Sequence, residues 1–187
     1  MFSSLLRFAA MAALIAIALE APAQTTAPSP VQSVTSVDLT RYVGKWHEIA
    51  SFPMFFQRNC RSDATAEYAV KSDGNVAVTN RCKTDSGVDE AVGTATVVPG
   101  SNNSRLKVSF FWPFKADYWV IGLDAEYRWA VVGNPNRKYL WLLSRTPQLP
   151  QAELDAALQS AKAQGYDLTQ LKYTPQGSVP KPTNKTD

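Results

Sequence analysis

Eight short runs of β-type residues follow one another between Lys45 and Ser144, each closed by a turn signal within a few residues. They span 45–52, 64–70, 76–83, 90–98, 105–111, 117–123, 127–133 and 138–144. Pro53, Asp73-Gly74, Ser86-Gly87, Pro99-Gly100, Pro113, the acidic stretch 124–126 and Asn134-Pro135-Asn136 punctuate them. Parallel neighbours need crossovers of a dozen residues or more, so connections this short favour antiparallel pairing of sequential strands. The order predicted is a meander.

One helix follows. Pro150 suits a first-turn position, Leu154, Ala157, Leu158 and Ala161 form an apolar stripe, and Gly165 is placed to end it. Residues 166–173 read as a final short strand. The fold class is therefore all-β: an eight-stranded antiparallel up-and-down β-barrel, with one C-terminal α-helix packed outside and a short ninth strand. Eight strands are enough to enclose a small ligand. A two-sheet sandwich is the architecture that strand count alone leaves open.

The ends read differently. Residues 8–19 are an unbroken apolar run behind Arg7, shorter than the roughly 20 residues of a membrane span. Ala21-Pro22-Ala23 supplies a small-x-small cleavage pattern, so residues 1–23 are expected to be a signal peptide. No cysteine follows the run to accept a lipid, and no later stretch could span a membrane as a helix. The mature chain is expected in the periplasm or secreted, at most associated with an outer membrane without a lipid anchor. Residues 24–37, rich in Ser, Thr, Pro and Gln, read as a flexible linker, 38–173 as the folded domain, and 174–187 as a disordered tail.

Composition narrows the function. The chain of 187 residues is 45% hydrophobic, which excludes a disordered protein. Its net charge of +3 is scattered and no basic run exceeds two residues, so nucleic acid is not an expected partner. One histidine and two cysteines do not make a structural zinc site, and the pattern asks for no metal and no cofactor.

Three segments carry a family resemblance. They are Gly44-Lys45-Trp46 in the first run, Leu123-Asp124-Ala125-Glu126-Tyr127-Arg128 before the seventh, and Leu143-Ser144-Arg145 at the end of the eighth. Their order and spacing resemble the lipocalin family, and Phe55-Phe56-Gln57-Arg58 and 139–146 resemble its bacterial Blc-like group, related to apolipoprotein D. The likeness runs from about Asp38 to Tyr173. This sequence departs from the pattern at His47, where the family usually has Tyr, and in lacking the lipidation cysteine.

The resemblance implies that Trp46 and Arg145 close one end of the barrel. A guanidinium over an indole face gains cation–π energy while its donors satisfy main-chain carbonyls. Gly44, Asp124 and Tyr127 belong to the same structural motifs. If Trp46 and Arg145 point inward, strand alternation places Glu48, Ala50 and Phe52 on the inner face of the first run and Tyr139, Trp141 and Leu143 on that of the eighth. Val108, Phe110 and Tyr118 are weaker additions to this candidate lining. The alternative for each is plain core filling. By resemblance the ligand is a small hydrophobic molecule, a fatty acid or lysophospholipid, carried for envelope maintenance, and a homodimer is left open.

Cys60 and Cys82 have two readings. In an exported protein a structural disulfide is favoured. The other is a cysteine nucleophile in a calycin-shaped enzyme acting on a lipid. A two-residue hairpin at Asp73-Gly74 would set Cys82 opposite Thr65, so pairing with Cys60 needs a bend after Pro53 or a longer loop. His47 is expected to point away from the interior, leaving no base for a nucleophile. The chain reads as a binder, of lipid or of another small hydrophobic ligand, and not as an enzyme.

Overall fold

The computed structural model describes residues 29–177. The signal peptide expected at 1–23, the first residues of the linker, and the tail from 178 onward lie outside them. The strands are β1 (Gly44–Ser51), β2 (Ser62–Val70), β3 (Val76–Thr84), β4 (Gly87–Val97), β5 (Arg105–Phe111), β6 (Phe114–Leu123), β7 (Trp129–Gly133), β8 (Leu140–Ser144) and β9 (Lys172–Tyr173). The helices are α1 (Leu39–Tyr42) and α2 (Gln151–Ala163). Each strand from β2 to β7 pairs with its successor, β8 pairs with β1, and β1 pairs back to β2. The meander therefore closes into an eight-stranded barrel, with β9 added along β1.

Two apolar clusters explain the residue choices. One fills the barrel, with Trp46, Tyr68, Val78, Leu106, Val120, Val132 and Leu143 among its members. The other lies between the outer face of the sheet and α2, where Ile121, Trp129, Val131, Leu140 and Leu142 meet Ala157 and Ala161. β7 is buried at every position and β8 nearly so. Both are apolar at odd and even positions because one face meets the interior and the other meets the helix. Gly133 permits this packing. A Cβ there would stand 2.1 Å from the Tyr166 hydroxyl. That hydroxyl accepts from Asn134 N at 2.8 Å and donates to Asn134 O at 2.9 Å.

The linker expectation needs correction within the described residues. Val31 and Val37 are buried, Val34 N donates to Val120 O and Val37 N to Asn102 O. Three valines in a polar stretch suffice to fasten 29–37 to the barrel. α1, which the pattern did not show, follows directly. The Asp38 side chain caps it by accepting from Thr40 N at 2.8 Å.

The start of the expected tail is docked too. Thr174 N donates to Ile49 O, and the Gln176 side chain donates to Glu48 O at 2.8 Å and Ala64 O at 2.9 Å. β1 pairs with β2 only over 44–47. Residues 172–177 stitch the seam above that point. The expected ninth strand is shorter than 166–173, since 168–170 form a 3-10 turn.

A candidate ligand-binding barrel

The closed end is built from the three motifs. Gly44 has φ +93°, a left-handed conformation that favours glycine and turns the chain from α1 into β1. Trp46 is wholly buried, and its Nε1 donates to Tyr42 O at 2.8 Å. The Arg145 guanidinium lies over the Trp46 ring and donates to the carbonyls of Arg41, Tyr42, Val43, Lys45 and Tyr127. Asp124 holds the turn before β7, accepting from the backbone of Glu126 and Arg128 and from the Arg128 guanidinium. Tyr127 accepts from Asp38 N through its hydroxyl at 2.9 Å.

Above this end three tyrosines form a polar layer inside the barrel. The Tyr118 hydroxyl is 2.8 Å from that of Tyr42 and 2.9 Å from that of Tyr68. Burial pushes the Tyr68 phenol up to about 12, and those of Tyr42 and Tyr118 well above their usual value. Around them Leu39, Val76, Leu106 and Val108 leave about 10 Å³, the room of one water. The closed half is packed core, and Val108 and Tyr118 belong to its lining.

The open half carries the polar atoms. Glu48 is buried and accepts from Ser51 Oγ at 3.0 Å, Gln57 Nε2 at 3.0 Å and Thr174 Oγ1 at 2.5 Å. Trp141 stacks on Tyr139 with centroids 5.9 Å apart, and Tyr139 lies 6.0 Å from Phe56. Leu143 is buried opposite Glu48. Phe110 is half-exposed, its ring lying where a Cβ on Gly93 would be.

Ala50 and Phe52 do not line the interior, contrary to the alternation argument. On β1, Glu48 opposes Leu143 while Ala50 opposes Leu142, so two steps on β1 match one on β8. This bulge at Ile49 reverses the parity. Ser51, not Ala50 or Phe52, joins Glu48 inside. Ala50 and Phe52 lie in the outer cluster, with the Phe52 ring 6.0 Å from that of Tyr166. β8 keeps its alternation, so Tyr139, Trp141 and Leu143 share the inner face.

Sequence reasoning missed Tyr42, Tyr68, Ser51, Gln57 and Thr174. One of these had a signal: Tyr68 shares its face of β2 with Ala64 and Ala66. Gln57 and Thr174 had none, because they reach the site from irregular segments.

Cys60 and Cys82 form a disulfide with Cα atoms 5.5 Å apart. Val70 pairs with Val76 across a turn at 71–75, longer than a two-residue hairpin, so Arg81 rather than Cys82 opposes Thr65. A bulge between Ser62 and Thr65 then brings the loop after β1 alongside β3. Neither cysteine is free to act as a nucleophile. His47 is half-buried, with Nδ1 3.3 Å from Gln176 Oε1.

A closed up-and-down barrel with an outer helix and an Arg-on-Trp closure defines a class. The lipocalin-like domain family matches residues 37–176, and the chain belongs to it. Within the family it is a Blc-like lipocalin. It is 43% identical over 152 residues to the outer membrane lipoprotein Blc of Vibrio cholerae serotype O1, covering 80% of this chain and 88% of that one. Identity to the Escherichia coli K12 outer membrane lipoprotein Blc is 38% over 170 residues, covering 90% and 94%. Apolipoprotein D of Bos taurus is 30% identical over 160 residues, covering 81% and 82%. Among solved structures, insecticyanin of the tobacco hornworm Manduca sexta matches with a TM-score of 0.64 at 17% identity, covering 81% of this chain and 87% of that one. Binding of small hydrophobic molecules, rather than catalysis, is the general work of this family.

Proposed function

We propose that the open half of the barrel carries a single-chain lipid, a fatty acid or lysophospholipid, within or near the cell envelope. The observation that supports this reading is the contrast between the two halves. The closed half has room for about one water, whereas further along β8 from Arg145 the Trp141 ring stacks on Tyr139, beside the strand that carries the buried Glu48 and Ser51. Apolar walls with a few placed polar groups suit such a ligand. Phe55, which follows β1, and Phe111, Trp112 and Phe114, at the turn from β5 to β6, are exposed at that same end, with Trp112 at 84%. They give a lipid tail an apolar path to the opening. The relatives named as outer membrane lipoproteins support an envelope setting. The mature chain is exported without an acyl anchor. Titration of the delipidated protein with a lysophospholipid, followed by tryptophan fluorescence, tests the carrier role.

A further inference from the structure

Glu48 is 7% exposed, and all three of its side-chain contacts are neutral donors: Ser51, Gln57 and Thr174. Among the described residues no lysine, arginine or histidine nitrogen comes within 4.0 Å of it. Beside it, Gln57 Oε1 is buried without a hydrogen-bond partner. Buried charges are normally paired, and a buried acceptor left without a donor is costly. The site thus presents two adjacent acceptors and no cation.

Aromatic residues occupy the neighbouring positions of chain and sheet. Phe56 precedes Gln57, its ring is 6.0 Å from Tyr139, and Tyr139 stacks on Trp141. Trp141 opposes Ser51, whose hydroxyl donates to Glu48. Aromatic faces attract cations, and strongly so where water is excluded.

We propose that this cluster is a subsite for the ammonium group of an amine-bearing single-chain lipid. The proposal rests on the carrier reading above. Glu48 is the counter-ion, Gln57 Oε1 accepts an N–H where the amine has one, and Phe56, Tyr139 and Trp141 flank the charge. A free fatty acid bound there sets its carboxylate against Glu48 and is disfavoured.

The test compares lipids of matched chain length. Lysophosphatidylethanolamine is set against lysophosphatidylglycerol, which shares its phosphate but has no amine. A long-chain alkylamine is set against the fatty acid, and an uncharged monoacylglycerol reports the apolar cavity alone. Wild type is expected to favour the amine member of each pair by about tenfold or more, equivalent to about 1.4 kcal/mol. Preference for lysophosphatidylethanolamine alone assigns the subsite to a phospholipid head group; preference in both pairs assigns it to amines generally. Glu48→Gln should bring the ratio within each pair close to one. Gln57→Leu should lower it in part for the primary amines. Ratios are taken within one protein, so a loss of stability common to all lipids cancels. Monoacylglycerol binding without any amine preference overturns the subsite alone. An amine preference unchanged in Glu48→Gln does the same. Failure of all the lipids to bind overturns the carrier reading as well.

Discussion

The Arg145 guanidinium carbon sits 3.8 Å from the centroid of the Trp46 ring, and its nitrogens reach five main-chain carbonyls from α1, the start of β1 and the turn before β7. One side chain thus ties the first, second and third motifs into a single plug. Only a planar fork can satisfy carbonyls spread in this way. Trp46→Ala should cost about 3–5 kcal/mol, as a large buried aromatic does. Arg145→Lys keeps the charge and should still cost about 1–3 kcal/mol, because carbonyls lose their donors. Urea denaturation measures both. An Arg145→Lys variant as stable as wild type would show that the charge alone matters.

The three interior tyrosines predict an alkaline limit to stability. Their folded-state pKa values are raised, Tyr68 to about 12, by burial. Above the ordinary value of 10.0 the unfolded chain loses the phenol proton while the folded chain keeps it. Stability is therefore full below pH 10 and falls as the pH rises toward 12. For Tyr68 alone the loss amounts to about 3 kcal/mol. Denaturation midpoints across this range should fall, and fall less steeply in Tyr68→Phe. Midpoints independent of pH there would contradict the buried layer.

The Cys60–Cys82 disulfide closes a loop with a sequence separation of 22. Its removal by Cys60→Ser/Cys82→Ser should cost about 3 kcal/mol in the chain-entropy account. Thiol titration of the denatured, unreduced protein should find no free thiol. Two free thiols would reopen the question of a reactive cysteine.

Gln176 bridges the seam where β2 leaves β1, through Glu48 O and Ala64 O. Gln176→Ala should cost about 1–3 kcal/mol, since both carbonyls lose a donor. Amide exchange should quicken at Thr174, whose N–H bonds Ile49 O, before it quickens in β7. Unaltered exchange at the seam would show that the strap carries no load.

The meander and the helix were legible in the sequence because each rests on a local rule, short connections and a helical stripe, whereas the closed end was legible through the resemblance of the three motifs to the lipocalin family. The lining was legible on β8, whose Tyr139, Trp141 and Leu143 keep strict alternation. It was misread on β1 because the bulge at Ile49 is set by pairing with β8 and not by any residue type within β1. The described parts of the tether and tail, 29–37 and 174–177, were misread for another reason. Val31, Val37, Thr174 and Gln176 sit among residues typical of loops, and their role appears only once the barrel offers them a surface.

In the proposed carrier role a lipid tail lies beside Trp141. This residue is four positions from Arg145, about 13 Å along the strand, and faces the open half. Each buried methylene contributes about 0.8 kcal/mol, so an acyl chain of about ten carbons supports micromolar affinity after association costs. Titrating delipidated protein with a lysophospholipid tests this most directly. Saturable change in tryptophan fluorescence, with weaker binding by Trp141→Ala at unchanged far-UV dichroism, is the result predicted. No saturable response from wild type to any single-chain lipid would contradict it.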